Sequence, residues 1–170
     1  MNSLPPDYLS NMYISYFYGS LIHCGAEWKE INAICTYSKF YYILSGECII
    51  EIDGASYHAE AGMLFLIPSG VRHSFYHINE NYIQKYWFHF EVETGGQRFF
   101  DLFQFPYVIN TGDPRFLKRL FRDILHDSVS SDVTALLRLK ARILELISYY
   151  FQNSGVEYAV YTTDREQDFE

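Results

Sequence analysis

Several nitrogen-bearing side chains stand on strand-like segments of this chain, where they could bind a ligand or a metal. His73 and His77 close the stretch from Gly62 to His77, GMLFLIPSGVRHSFYH, an apolar run that ends at Pro68, turns at Ser69-Gly70 and resumes at His73. Lys85, Trp87 and His89 alternate along a second stretch that continues into Phe90. Imidazole can ligate a metal or move a proton near neutral pH. Aromatic rings can also pack on the C–H face of a sugar while His, Tyr and Lys hydrogen-bond its hydroxyls. A catalytic metal site asks for about three protein ligands and an open coordination position. His73 could supply one; His23 and Cys35 have no spacing that would complete the set, and His77 and His89 read as ordinary strand histidines. The chain has no G-x-S-x-G nucleophile elbow and no phosphate-cradling glycine loop. Glu47 and Glu51 flank Cys48 at hairpin positions and read as solvated carboxylates. The residues therefore point to binding rather than catalysis, with no catalytic residue, metal or cofactor expected.

The elements that must position these groups divide the chain in two. From Met12 to about Val92, short aromatic and β-branched runs alternate with turn signals, the pattern of an all-β sandwich or barrel. Strands are expected at 13–18, 21–24, 31–37, 40–44, 48–52, 55–60, 63–67, 73–78 and 83–92. Asp53-Gly54 is a tight hairpin signal, and Ser45-Gly46 and Ala61-Gly62 are turns of the same kind. Side chains alternate along a strand. Thus His73, Phe75 and His77 share one face, as do Lys85, Trp87 and His89, and as do Phe40, Tyr42 and Leu44. After Gly95-Gly96 the period becomes helical. Asp113-Pro114 starts a first helix as N-cap and first-turn proline, with Leu117, Leu120, Phe121, Ile124 and Leu125 at helical spacing. Ser130-Ser131-Asp132 caps a second helix to about Gln152. Its apolar arc (Leu136, Leu139, Ile143 and Ile147, with Leu137, Leu144 and Tyr150 close by) is wider than one buried face needs. One side is expected to cover the barrel and the other to meet a partner chain.

With 170 residues and 49% hydrophobic content the chain can bury a single core, and 16 Tyr and 14 Phe favour sheet. The net charge of −8 without a Lys/Arg cluster argues against nucleic-acid binding by these residues. Cys24, Cys35 and Cys48 are an odd set without C-x-x-C spacing and read as reduced thiols of a cytoplasmic protein. The N-terminus carries no signal-peptide pattern, and runs such as MLFLIP are too short to span a bilayer.

The spacing G-x5-P-x-G-x2-H within Gly62–His73 resembles the second conserved motif of the cupin superfamily. The companion motif, His-x-His followed by Glu, has no counterpart: the corresponding segment reads AICTYSKFYYIL, with Phe40 near the expected Glu. Four features in order are similar to the N-terminal effector-binding and dimerisation domain of AraC-family transcription regulators. These are Trp28 ahead of an early strand, YYILSGE at Tyr41 to Glu47, AGMLFLIPSGVRHSF at Ala61 to Phe75, and WFHF at Trp87 to Phe90. Two helices follow, and the resemblance covers roughly 15–152.

The resemblance implies a mainly β fold, a cupin-like double-stranded β-helix (jelly-roll barrel) followed by two C-terminal α-helices. It divides the chain into an arm at 1–11, a barrel at 12–112, a helical dimerisation segment at 113–152, and a linker at 153–170 toward a DNA-binding domain outside this chain. It implies a small effector, often a carbohydrate, and a homodimer, with DNA contacted only through that further domain. In cupins the histidine after the proline-glycine turn points inward. Carried over, this makes Tyr42, His73, Phe75, Lys85 and Trp87 the expected ligand-binding set, and Leu136, Leu139, Ile143 and Ile147 the expected dimer face. The arm either closes over the ligand or packs elsewhere. Two rivals stay open: a small metal-dependent cupin enzyme such as an isomerase or dioxygenase, and a dimerising module whose barrel its own side chains fill.

Overall fold

The computed structural model describes residue 8 and residues 10–158. Most of the expected arm and linker lies outside these residues. Two antiparallel sheets face each other as a jelly-roll barrel. The first runs in the order β1 (Met12–His23), β8 (Gln84–Thr94), β3 (Ser38–Ser45), β6 (Met63–Ile67), β11 (Val108–Asn110), with β9 (Gln97–Arg98) beside β8. The second runs β2 (Lys29–Ala33), β7 (His73–Tyr76), β4 (Glu47–Ile52), β5 (Ala55–Glu60). A small pair, β10 (Phe103–Gln104) with β12 (Glu157–Tyr158), ties the segment after the helices back to the barrel. Apart from the β4–β5 and β8–β9 hairpins, neighbours in each sheet are distant in sequence, as expected of a jelly roll and unlike a meander.

Local chemistry explains several of these elements. Asp53 and Gly54 both have positive φ (52° and 82°), the left-handed pair that a two-residue turn between β4 and β5 requires. The two segments expected at 13–18 and 21–24 are one strand, β1, interrupted by a bulge: Tyr16 pairs with Phe90 but Tyr18 with His89, leaving Phe17 as the extra residue. The bulge inverts the side-chain parity of β1. Ile14 and Tyr16 face the helices, whereas Tyr18 reaches His89 and Trp87, with ring centroids 4.9 and 5.8 Å apart.

Helix α1 (Pro114–Ser128) begins as expected: the Asp113 carboxylate accepts hydrogen bonds from the Arg115 and Phe116 amides. Asp132 caps α2 (Val133–Gln152) through the Thr134 amide. Both helices pack on the outer face of the first sheet. Leu117, Leu120, Phe121, Ile124, Leu139, Ile143, Leu146, Ile147 and Tyr150 form one core with Phe40, Tyr42, Leu64, Leu66, Phe88 and Phe90. At the helix ends the buried Asp127 pairs with Arg138 and Arg142.

This packing corrects the expected dimer face. Leu139, Ile143 and Ile147 are buried within the same chain, against α1 and the sheet, and cannot meet a partner. Leu136 alone of the four is exposed, together with Val133, Leu137 and Leu144. Both sides of α2 are apolar, and the sheet takes the one centred on Ile143. No helix of the described residues is long and apolar enough to cross a membrane.

Candidate functional site

Strand β3 pairs with β8 in a register that sets Lys39 opposite His89, Tyr41 opposite Trp87 and Ile43 opposite Lys85. Residues directly opposite in an antiparallel pair project from the same face. The odd positions of both strands therefore share the space between the sheets, and the even positions share the helix-covered exterior. Much of the interior is a dry apolar plug of Ile43, Cys48, Ile50, Ile52, Ala59, Phe65 and Ile67. Beside it converge Lys39, His73, Lys85 and His89, each more than nine-tenths buried.

The polar groups are arranged with defined protonation. Lys39 Nζ donates to His73 Nε2 at 2.9 Å, and His73 Nδ1 donates to the Val71 carbonyl at 3.0 Å. This network corresponds to a neutral imidazole carrying its proton on Nδ1. Burial holds the His73 pKa below the usual imidazole value; the Val71 carbonyl opposes this and the Lys39 charge adds to it. Burial also depresses the Lys39 ammonium.

Lys85 has aromatic neighbours instead of hydrogen-bond acceptors. Its Nζ lies 3.3 Å from the Tyr41 ring centroid and 4.7 Å from that of Trp28, within cation–π range. Lys39 and Lys85 each lie 5.7 Å from the Phe75 ring, one on β3 and the other on β8. Burial brings the Lys85 pKa down to about 7, with Cys24 and Cys48 opposing the shift and Lys39 reinforcing it.

His89 sits among Tyr37, Trp87 and Tyr18, its ring centroid 4.5, 4.8 and 4.9 Å from theirs. Its buried Nδ1 has no hydrogen-bond partner among the described residues. Burial first, and then the charges of Lys39, Lys85 and His73, push its pKa down to about 3. Trp28 stacks on Phe75 at 4.3 Å and 19°. The same indole lines an open cleft of about 410 Å³ with Ala26, Lys29, Ile31, Tyr76 and His77.

Of the expected ligand-binding residues, the structure brings His73, Phe75, Lys85 and Trp87 to one region. Tyr42 is a correction: it lies on the opposite face of β3, fully buried and stacked on Phe121 of α1 at 5.9 Å. The register of β3 against β8, which sequence alternation alone does not fix, puts Tyr41 inside. Lys39, Tyr41, Trp28, Tyr37 and His89 belong to the region and were not in the expected set. Lys39 did carry a signal, as the sole charge in the apolar run YSKFYYIL. His77 follows the end of β7 and donates from Nε2 to the Gly25 carbonyl at 2.7 Å.

The His73 nitrogen that could face a metal already accepts a hydrogen bond from Lys39, an amine that would repel a cation. Among the described residues no group of three or more His, Cys, Asp or Glu side chains is placed to hold a metal ion.

A family model described as AraC-like ligand binding domain matches residues 37–147. Among solved structures, the chain is similar to an apo ToxT variant from Vibrio cholerae, at 10% identity and TM-score 0.47, covering 83% of this chain and 55% of that one. It is similar to the Cnp3 cupin domain of Schizosaccharomyces pombe at 13% identity and TM-score 0.38, covering 46% and 63%. A third is a variant of salicylate 1,2-dioxygenase from Pseudoaminobacter salicylatoxidans, at 14% identity and TM-score 0.35, covering 55% and 34%. The chain thus spans less than two thirds of each of these structures. No curated protein sequence matches it significantly.

Proposed function

Since the chain belongs to the AraC-like ligand-binding domain family, we propose that it is the effector-sensing and pairing unit of a cytoplasmic transcription regulator, with a small carbohydrate-class molecule as effector. The observation that carries this reading is the meeting of aromatic faces with buried hydrogen-bonding groups at one end of the barrel. Trp28, Phe75 and Trp87 offer flat apolar surfaces, and Lys39, Lys85 and His89 offer polar atoms that the fold leaves under-used. A polyhydroxylated ring suits such a surface, with its C–H face against the indole or phenyl and its hydroxyls on the nitrogen groups. The open cleft beside Trp28 exposes one edge of this aromatic group to solvent. His73 serves to orient Lys39.

Pairing of two chains is assigned to the exposed stripe of α2, namely Val133, Leu136, Leu137 and Leu144. A two-fold arrangement would bring this one stripe against itself. DNA would be contacted by a domain outside this chain, and the ligand would act by favouring one arrangement of arm and helices over another.

The test is a thermal-shift screen of the full chain against sugars and sugar derivatives, with and without a chelator. A ligand at a hundred times its Kd adds about 2.7 kcal/mol of stability, several degrees in Tm. Saturable stabilisation that the chelator leaves intact supports the sensing reading. Absence of any saturable ligand, or stability that depends on a chelatable metal, would overturn it.

A further inference from the structure

The charges in the barrel do not balance. Lys39 and Lys85 are both more than nine-tenths buried, and neither takes part in an ion pair among the described residues. Lys39 bonds to the neutral His73 and to the Cys35 side chain, and Lys85 has rings. Buried charges are normally paired, since isolated ones carry a large desolvation penalty.

The acidic groups nearby do not cancel them. Glu91 on β8 is held by the Ser38 hydroxyl at 3.2 Å and the Val92 amide at 3.0 Å. Glu30 on β2 is felt by Lys39 and His73 but bonds to neither. The thiols facing Lys85 are neutral near physiological pH, because burial raises Cys24 and brings Cys48 up to about 12. His89 adds a buried nitrogen with no partner among the described residues.

We propose that the effector is an anion, a sugar acid or sugar phosphate whose charged group sits between Lys39 and Lys85 and whose ring lies against Trp28 and Phe75. This rests on the sensing reading above and narrows its ligand class. The anion supplies the counter-charge that the described residues do not, and charge-assisted hydrogen bonds in a buried site are the strong kind. It also accounts for the plug of apolar side chains below the site, which leaves no second polar surface to solvate a neutral polyol on all sides.

The sign of the pH dependence follows from the groups facing Lys85: Lys39 and Tyr41 on β3, Cys48 on β4, His73 on β7, His89 on β8, and Cys24 after β1. Lys85 must be protonated to hold an anion, and in the free protein it loses its proton at about pH 7. Anion affinity is therefore flat below that pH and falls above it by about tenfold per pH unit. The carboxyl of a sugar acid is ionised throughout this range.

The experiment is binding calorimetry on the full chain with matched sets of hexoses, the corresponding uronates and the corresponding hexose phosphates. The same sets are run on Lys39→Met and Lys85→Met, and on the parent chain from about pH 6 to about pH 9. The expected result is that one charged series binds and its neutral parent does not. Each lysine substitution should weaken binding by about ten- to a hundredfold, and affinity should fall with rising pH. Uronate-only or phosphate-only binding identifies which anion the site takes. Should a substituted protein fail to fold, the pH profile of the parent chain decides the matter alone. Neutral sugars binding as well as their acids, with no pH dependence, would overturn the anion assignment and leave the sensing reading standing. No binding by any of the three series would overturn both.

Discussion

Replacing Lys85 by methionine should stabilise the protein at neutral pH, and the size of the gain should depend on pH in a direction fixed by the site. Free in an unfolded chain, the lysine amine titrates near 10.5; folded, among Tyr41, Trp28 and Phe75, it titrates at about 7. Below pH 7 the folded protein carries a buried ammonium and bears the whole penalty. Between pH 7 and 10.5 the folded state has lost that proton while the unfolded state keeps it, so the unfolded state binds more protons and stability rises with pH. The difference of about 3.5 pKa units, at about 1.36 kcal/mol each, sets a ceiling of about 5 kcal/mol. Methionine keeps most of the stem's volume and removes the charge, so at about pH 6 the variant should exceed the parent by roughly 3 to 5 kcal/mol, a gap that closes by about pH 10. The raised thiols of Cys24 and Cys48 titrate in both proteins, so the difference between the two pH profiles largely cancels them. Urea unfolding with linear extrapolation, at unit pH steps, reads the difference directly. Parallel profiles across the window, or a variant less stable than the parent at neutral pH, would show that Lys85 is not the uncompensated buried amine described.

Two further outcomes test the helical layer. Phe121 of α1 is fully buried and lies 5.6–5.9 Å from the rings of Phe88, Tyr86 and Tyr42 on the sheet. Phe121→Ala should cost about 3–5 kcal/mol in chemical denaturation, and a loss below about 1 kcal/mol would mean that the helices are not docked on the sheet as described. Introducing Leu137→Glu and Leu144→Glu together on the exposed stripe of α2 should weaken the proposed pairing of two chains by about a hundredfold or more in sedimentation equilibrium while leaving Tm little changed; pairing of unaltered strength, or a parent chain that is monomeric at all concentrations, would refute the assignment of this stripe.

What could be read in advance and what could not follow a physical division. Features set by a few consecutive residues were legible: the turn at Asp53-Gly54 because only a left-handed pair closes it, and the start of α1 because Asp113 caps and Pro114 needs no amide donor. Features set by pairing between distant strands were not. The face of β3 is decided by its register against β8, some forty-six residues away from Lys39 to Lys85 along the chain, and a one-residue shift exchanges Tyr42 for Tyr41. The bulge at Phe17 reverses parity again within β1, which is why Tyr18 joins the site and Tyr16 the helical core. On α2 two apolar stripes compete, and only the shape of the sheet selects Leu139, Ile143 and Ile147 over Leu137 and Leu144. The consequence reaches function. The histidine and tryptophan motifs are local in sequence, but the lysine pair on which the proposed anion site rests comes from β3 and β8 together. The gathering of Lys39, His73 and Lys85 is thus a property of strand register and sheet packing, since no short segment of the chain contains all three.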